Sequence, residues 1–171
     1  MAKDKKEKKS KDVEATTPTK TKADKGDKDE ESGVSYETRV EAVNGIAHPL
    51  AGKKLTKKVY KTVKKAAKGK SVKRGVKEVV KGLRKGSKGV VIIAGDISPL
   101  DVISHLPILC EEANVPYIYV PSKEDLGAAG ATKRPTSCVM VIDKKDADYR
   151  EAYVEVEGEV KELNEKLITT V

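Results

Sequence analysis

The sequence lacks several residue types. Its 171 residues include no Trp and no Phe, two His and two Cys. A hydrophobic core must therefore be aliphatic, and aromatic platforms of the kind that stack on single-stranded bases are scarce. Cys110 and Cys138 lie in apolar surroundings without paired spacing, which predicts buried thiols in a reducing compartment. Together with His48 and His105 they do not have the spacing of zinc ligands, so no metal is expected.

Long apolar runs and catalytic motifs are also missing. No window of about 18 apolar residues predicts a membrane span, and the charged first residues lack the apolar core of a signal peptide, so we expect an intracellular protein with no membrane partner. Neither glycine-rich nucleotide fingerprint occurs. Ser98, Asp101 and His105 resemble triad residues, but on one helix they would point along neighbouring turns, with Asp101 and His105 as a local i,i+4 pair. We therefore expect no enzyme and no cofactor.

Charge is abundant and unevenly distributed. Charged residues make up 36% of the chain, with a net charge of +8. Residues 50–90 carry 16 Lys or Arg against one acid, Glu78, a net charge of +15, which leaves −7 on the remainder. This segregation predicts one strongly positive face on an otherwise acidic body, and nucleic acid as the commonest anionic partner. The alternative is a solvated helix surface that needs no ligand.

The first 34 residues differ in composition from the rest. They hold ten Lys and nine acids among Thr, Ser and Gly, and offer almost nothing to bury. We expect a disordered charged tail over 1–34 and one RNA-binding α/β/α domain over 35–171. Residues 3–9 could form a nuclear-localisation patch, although the interleaved acids argue against it.

Hydrophobic spacing predicts helices that alternate with strands. Apolar residues recur every three or four positions over 55–67 and over 76–83, which predicts two amphipathic helices, the first with a Lys-rich outer face and the second ending near Gly86. Uninterrupted apolar runs are typical of strands covered on both faces. The strands predicted in this way are 89–94, 116–120 and 137–142.

Further helices follow these strands. Ser98 as a cap and Pro99 at the first helical position predict a helix start, and Pro107 predicts a bend or break in that helix. Residues 122–125 resemble a capping box with Asp in place of Glu or Gln. A stepping of three and four over 149–167 predicts a terminal helix with an acidic outer face. The alternation implies a three-layer α/β/α sandwich.

The first candidate binding site is Arg74–Lys81, where a turn opens the second helix. Helix N-termini attract phosphate through unpaired N–H groups and a partial positive charge, and Gly75 lets a nucleic-acid backbone approach. Lys77 and Lys81 share one face. Glu78 has two interpretations that the residues leave open, namely an ion pair with Lys81 or an acceptor for a base edge.

The second candidate site is 126–135. Small apolar residues followed by Lys133 and Arg134 make a surface that can lie flat on an unstacked base and hold its phosphate. The alternative is a helix end and a loop before the next strand.

Four segments together resemble one family. They are Arg74–Lys81, the strand 89–95, the segment 97–111 and the segment 115–123. In this order, over about 49–142, they resemble the kink-turn-binding ribosomal protein superfamily. Residues 73–81 and 126–135 are similar to its H/ACA ribonucleoprotein branch, in a fungal-like form.

The resemblance implies the α/β/α fold of that superfamily, with a small central mixed sheet and no active site. It implies that the start of the second helix enters a bent or irregular RNA stem, that Glu78 receives the guanine edge of a sheared G·A pair, and that a loop after the third core strand caps an extruded base. The residues that would contact RNA, with Arg74 and Lys133 added from the two candidate sites, are Arg74, Gly75, Lys77, Glu78, Lys81, Ser98, Val102, Lys123, Thr132, Lys133 and Arg134.

The resemblance also implies a place in the nucleolus of the nucleus. There the protein would hold H/ACA guide RNA beside a dyskerin-type pseudouridine synthase, joined through a short linker protein, with the glycine-arginine-rich subunit in the same particle. It would support rRNA pseudouridylation, ribosome biogenesis and telomerase RNA stability without catalysis. Residues 97–112, with Ile103, Leu106 and Leu109, are a candidate partner surface, with ordinary core as the alternative.

One departure from the family pattern concerns Lys77, because kink-turn binders have Asn directly before that Glu. An amide donates and accepts at a base edge, whereas an ammonium donates and attracts any phosphate. We therefore expect broad affinity for irregular stem-loops. Three alternatives stay open: a ribosomal, box C/D or spliceosomal kink-turn binder, which would favour Asn at this position; a basic chromatin protein; and an RNA-modifying enzyme, for which no motif is found.

Overall fold

The computed structural model describes residues 36–144 and 147–169, and these all fall within one compact unit. The predicted charged tail and its localisation patch lie outside the described residues, so the domain boundary at residue 35 stays a prediction. Within the described part, no helix has the length and apolar character needed to cross a membrane.

Six α-helices and four strands are formed by the described residues, with one 3₁₀ turn, Leu100–Val102. In chain order they are α1 Tyr36–Glu41, α2 Lys53–Lys68, β1 Val72–Arg74, α3 Val76–Arg84, β2 Gly89–Ala94, α4 His105–Glu112, β3 Tyr117–Val120, α5 Lys123–Ala129, β4 Cys138–Ile142 and α6 Arg150–Thr169.

The four strands form one mixed sheet in the order β1-β4-β2-β3. β4 runs antiparallel to both of its neighbours, and β3 is parallel to β2. Every residue of β2 is buried. Its side chains alternate between two hydrophobic cores, with Val90 and Ile92 in one and Val91 and Ile93 in the other. The strand is therefore covered on both faces, as its uninterrupted apolar run predicts.

Helices cover the two faces of the sheet in different combinations. The core on one face takes apolar side chains from α2, α5 and α6, and the core on the other face takes them from α3 and α4. The predicted three-layer α/β/α sandwich is confirmed. The terminal helix α6 is an integral packed element, because Tyr153, Val156 and Val160 are buried in the first core.

The prediction of a single positive face is wrong. The two basic helices that produce it lie on opposite sides of the sheet, since Val59 and Val63 of α2 belong to one core and Val79 and Leu83 of α3 belong to the other. The basic charge of residues 50–90 is therefore divided between two layers. The two helices are joined through the edge strand β1, whose charged residues Lys73 and Arg74 gave no apolar pattern to predict it.

The helix predicted to begin at Ser98-Pro99 begins later. The chain first forms the 3₁₀ turn, which brings Leu100 and Ile103 to the core, and α4 starts at His105. Pro107 is then the third residue of α4, a first-turn position where a backbone N–H would have no intrahelical acceptor. Proline, which lacks the N–H, therefore removes no helical hydrogen bond there, and the predicted bend or break is not required. By contrast, the Ser122 half of the predicted capping box is confirmed, because the Ser122 hydroxyl accepts from the Asp125 N–H at 3.3 Å. The Asp125 carboxylate pairs with Arg39.

Both cysteines are free and buried, as predicted. Burial raises the pKa of the Cys110 thiol and of the Cys138 thiol to about 12. Since the thiolate is the nucleophile and the metal ligand, both side chains behave as small apolar core residues at neutral pH.

Two glycines provide a test of how closely the sheet is packed. A Cβ on Gly89 would lie 2.0 Å from the Val141 carbonyl oxygen, whereas for Gly158 in α6 no atom of the described residues lies within 4 Å of that position. We expect Gly89→Ala to lower the free energy of unfolding by about 1–3 kcal/mol. Gly158→Ala should raise it by up to about 1 kcal/mol through helix propensity. Urea denaturation of the full chain measures both, and equal midpoints would contradict the packing described.

Candidate nucleic-acid interface

The topology brings the predicted binding residues toward one edge of the sheet. β1, β2 and β3 run in the same direction and β4 runs in the opposite one, so the ends of the first three strands and the start of β4 lie together. We name this end of the strands the Gly75 edge, because β1 ends there and α3 begins there. Each predicted contact residue comes from a segment that leaves or enters the sheet at this edge.

Gly75 joins β1 to α3 in a backbone conformation that favours glycine. Its φ is +80° and its ψ is 158°, a region that residues with a Cβ rarely adopt. Its N–H donates to the Cys138 carbonyl at 2.8 Å, and its carbonyl accepts the first intrahelical bond from Val79 at 3.1 Å. No atom of the described residues lies within 4 Å of the place a Cβ would take, so the start of α3 faces open space.

Glu78 has a structural role that the sequence did not indicate. Its carboxylate accepts from the Arg74 backbone N–H at 3.1 Å and so reaches back across the start of α3. This bond differs from the ion pair with Lys81 considered above, and it resembles the reciprocal half of a capping box. Glu78, Lys77 and Lys81 are all exposed. The Glu78 carboxylate therefore lies at the open start of α3, and it has further lone pairs that can accept a hydrogen bond from a ligand.

A groove of about 520 Å³ runs along α3 beside the start of α4. Its lining is basic and apolar and comprises Val76, Lys77, Val80, Lys81, Arg84, Lys85 and His105. It extends the basic surface from the Gly75 edge to the C-terminal end of α3. The sequence analysis missed Arg84, Lys85 and His105 as candidate site residues. The positions of Arg84 and Lys85, three and four residues after Lys81, indicated that they continue the basic face of α3.

The loop after α5 reaches the same edge as the start of α3. Thr132 donates its N–H to the Gly127 carbonyl at 3.1 Å, and the Thr132 hydroxyl accepts from the Arg134 N–H at 3.2 Å. Across the gap, the Arg74 Nε lies 3.8 Å from the place where a Gly130 Cβ would be. The structure thus places the first candidate site against the second. Lys133 and Arg134 are exposed on this loop.

Lys123 is less available than predicted. It is half-buried at the start of α5, where its N–H donates to the Asp96 carboxylate at 2.9 Å and its ammonium donates to the Asp96 carbonyl at 3.3 Å. Burial raises the pKa of the Asp96 carboxyl, and the Lys123 N–H partly opposes that rise. Lys123 therefore stabilises the loop that follows β2 at the Gly75 edge.

A positioning residue was missed because it lies in a segment with weak patterning. Asn44, between α1 and α2, donates its N–H to the Gly95 carbonyl at 2.9 Å and its side-chain amide to the Ile97 carbonyl at 2.8 Å. These bonds fix the loop that leads from β2 to Ser98. Ser98 and Val102 are both exposed on the stretch that follows.

Two expectations concern residues 97–112, namely the candidate partner surface and the helix predicted to begin at Ser98. Ile103 and Leu106 are fully buried, so for them the alternative of ordinary core is correct. Leu109 is half-buried against the same core, and Ile108 is the large apolar side chain of α4 that is 60% exposed. The predicted single helix carrying Ser98, Asp101 and His105 is absent as well. These three residues lie in a loop, in the 3₁₀ turn and at the first position of α4, so the predicted i,i+4 pair does not share a helix.

Comparison with known protein families gives the decisive observation. The model of the ribosomal protein L7Ae/L30e/S12e/Gadd45 family matches residues 57–150, more than half of the chain. The chain belongs to this family. The resemblance inferred from the sequence segments is thereby confirmed, and the matched region includes most of α2, all of α3, all four strands and both candidate sites.

Named relatives are similar to this chain over about half to three quarters of its length. The H/ACA ribonucleoprotein complex subunit 2-like protein of Arabidopsis thaliana is 52% identical over 132 residues, covering 72% of this chain and 85% of the relative. The H/ACA ribonucleoprotein complex subunit nhp2 of Schizosaccharomyces pombe is 60% identical over 87 residues, 47% of this chain and 56% of the relative. A solved structure, the 15.5kD RNA binding protein of Giardia lamblia, has a TM-score of 0.67 at 31% identity and covers 71% of this chain and 99% of its own.

The role of Gly75 can be tested against a second helix-capping glycine. Gly52 precedes α2 at a φ of −63°, and for neither glycine does an atom of the described residues lie within 4 Å of a Cβ. We expect Gly75→Ala to cost about 1–3 kcal/mol more stability than Gly52→Ala, because only the former forces Ala to a positive φ. Thermal and urea unfolding of both variants measure the difference. Equal stabilities would show that the positive φ at Gly75 is not a constraint.

Proposed function

We propose that this protein is the RNA-binding subunit of an H/ACA ribonucleoprotein and supports guide-RNA-directed pseudouridylation of rRNA without catalysing it. The names of its relatives in Arabidopsis thaliana and Schizosaccharomyces pombe support membership of an H/ACA particle, and the similarity to the RNA binding protein of Giardia lamblia supports RNA as the ligand. The observation that carries the proposal is the open, glycine-led start of α3, with exposed Lys77 and Lys81 beside the carboxylate of Glu78.

In this proposal the RNA lies between the start of α3 and the loop after α5. The N–H groups of the first turn of α3 and the ammonium groups of Lys77 and Lys81 hold phosphates. Glu78 accepts from a base edge while it keeps its bond to the Arg74 N–H. The exposed side chains of Lys133 and Arg134 hold the backbone from the opposite side.

The remaining predicted contacts have smaller roles. Gly75 allows close approach, Ser98 and Val102 border the RNA, Thr132 shapes the loop, and Arg74 joins the two sites over Gly130. Lys123 shares its ammonium between the Asp96 carbonyl and the RNA.

We also propose two protein partners in the same particle. They are a dyskerin-type pseudouridine synthase reached through a short linker protein, and the glycine-arginine-rich subunit of the same particle. A role in rRNA pseudouridylation and in telomerase RNA stability would place the protein in the nucleolus. A pull-down that recovers H/ACA guide RNA with a pseudouridine synthase supports this assignment, whereas recovery of ribosomal subunits or chromatin contradicts it.

A second candidate is a ribosomal, box C/D or spliceosomal kink-turn binder. The ribosomal proteins in the description of the matched family favour it. Lys77 in place of Asn opposes it, because an ammonium cannot accept a hydrogen bond from a base.

The RNA-binding surface can be tested by reversing charge. We expect Lys77→Glu with Lys81→Glu to weaken binding of an irregular stem-loop RNA by about tenfold or more and to lower the salt slope by about two, since each lysine holds one phosphate. The matched control is Lys70→Glu with Lys144→Glu, which changes the same charge at the opposite end of the sheet. Fluorescence anisotropy at several salt concentrations measures both. If the folded α3 variant binds as the native protein does, the proposed surface is wrong.

The residue before Glu78 should set how well the protein discriminates between RNAs. The native protein should bind a kink-turn, a mutated kink-turn and a plain hairpin with similar affinities, because Lys77 contacts phosphate. Lys77→Asn should lower the affinity for the hairpin and increase the preference for the kink-turn. Competition binding with the three RNAs measures this. A native preference of about a thousandfold for the kink-turn, a ratio typical of specific recognition, would contradict the expectation.

A further inference from the structure

A second basic surface lies on the other side of the sheet from α3. It is a groove of about 340 Å³ between α2 and α6, which we name the α2 lysine groove. Its lining is Lys58, Lys61, Thr62, Lys64, Lys65, Lys68, Ala152 and Glu155. None of these residues belongs to the interface described above, so the groove is a separate feature of the molecule.

The acidic helix beside the groove neutralises only part of the groove's positive charge. The Lys58 ammonium lies 2.6 Å from a carboxylate oxygen of Glu155 and 2.6 Å from one of Glu159, and these bonds raise its pKa to about 12. Glu155, the groove's one acid, is therefore already engaged. Among the described residues, Lys64 and Lys65 lie within ion-pair distance of no carboxylate.

The spacing of these lysines works against the stability of α2. Lys61 and Lys65 are four residues apart, as are Lys64 and Lys68, and like charges at this spacing repel one another. Lys65 and Lys68 in the last turn are favoured by the helix dipole. Lys64, which lies outside that turn, has no such compensation. A polyanion along the stripe would neutralise all of them.

We propose that the α2 lysine groove binds the phosphodiester backbone of an RNA helix, independently of sequence, as a second RNA-contacting surface of this protein. The identity of the polyanion rests on the proposed function. The residues that line the groove argue against two other kinds of ligand. They include no aromatic ring on which an unpaired base could stack, and they form no large apolar pocket that could anchor a helical peptide. The floor of the groove is formed by the short side chains of Thr62 and Ala152. Phosphate contacts without base contacts position an RNA and do not select its sequence.

The location of the groove gives it a distinct role. Because α2 and α3 pack on opposite faces of the sheet, one molecule has two basic surfaces that face different directions. The Gly75 edge would hold an irregular element, and the α2 lysine groove would hold a neighbouring double-stranded stem.

The test neutralises two adjacent lysines and compares two positions on one helix. Lys64→Gln with Lys65→Gln lies in the groove, and Lys53→Gln with Lys54→Gln at the first turn of α2 is the matched control, since all four side chains are exposed. The probe is a blunt RNA duplex without loop or bulge, titrated at several salt concentrations. We expect the groove pair to bind it about tenfold more weakly with a salt slope lower by about two. The control pair should bind as the native chain does, and Lys64→Arg with Lys65→Arg should retain binding.

Two further arms separate the possible outcomes. In a chain that also carries Lys77→Glu and Lys81→Glu, the residual duplex binding should still depend on Lys64 and Lys65, so a failure of the Gly75-edge surface leaves this result intact. Equal losses in the groove and control pairs, or no loss in either, overturn the proposal. The proposal is also overturned if binding of a polyglutamate peptide depends on Lys64 and Lys65 and binding of the duplex does not. The occupant of the groove is then an acidic protein.

Discussion

β2 carries six consecutive buried residues, and both of its faces need helices to keep them from water. This requirement organises the molecule. α2 covers one face, the chain crosses the sheet edge through three residues of β1, and α3 covers the other face. Two helices that are both rich in lysine are thereby kept apart by a hydrophobic layer. Their mutual repulsion is reduced, and each presents its charge to a different side.

The binding edge is a product of strand direction. Because β4 runs against β1 and β2, the start of β4 meets the end of β1, and the Gly75 N–H bonds to the Cys138 carbonyl. That bond aligns α3 with its first turn open to solvent. The loop before β4 packs closely on α5, since a Cβ on Gly127 would lie 2.4 Å from the Arg134 carbonyl oxygen. Phosphate-binding groups from distant parts of the sequence are thus fixed by the backbone of a small sheet.

Periodicity predicted the elements whose signal is local and strong. The helices at 53–68 and 76–84 and the strand at 89–94 follow from apolar spacing, and the Ser122 cap follows from side-chain chemistry. The failures have physical causes. β1 is held by pairing with β4, which lies some 65 residues away and leaves no mark on Lys73 or Arg74. α4 starts late because core packing of Leu100 and Ile103 overrides a local helix-start signal.

The sequence by itself determined the aliphatic core, the two amphipathic basic helices, the inert thiols and, through its resemblance, the family. These properties depend on residue type and short-range spacing, which a linear chain displays in full. Tertiary structure alone decided that the basic helices point to opposite sides, that Glu78 bonds to the Arg74 N–H, and that Ile103 and Leu106 are core. Those outcomes depend on the direction of the strands and on which face of the sheet each helix covers, and both are set by contacts between residues far apart in the chain.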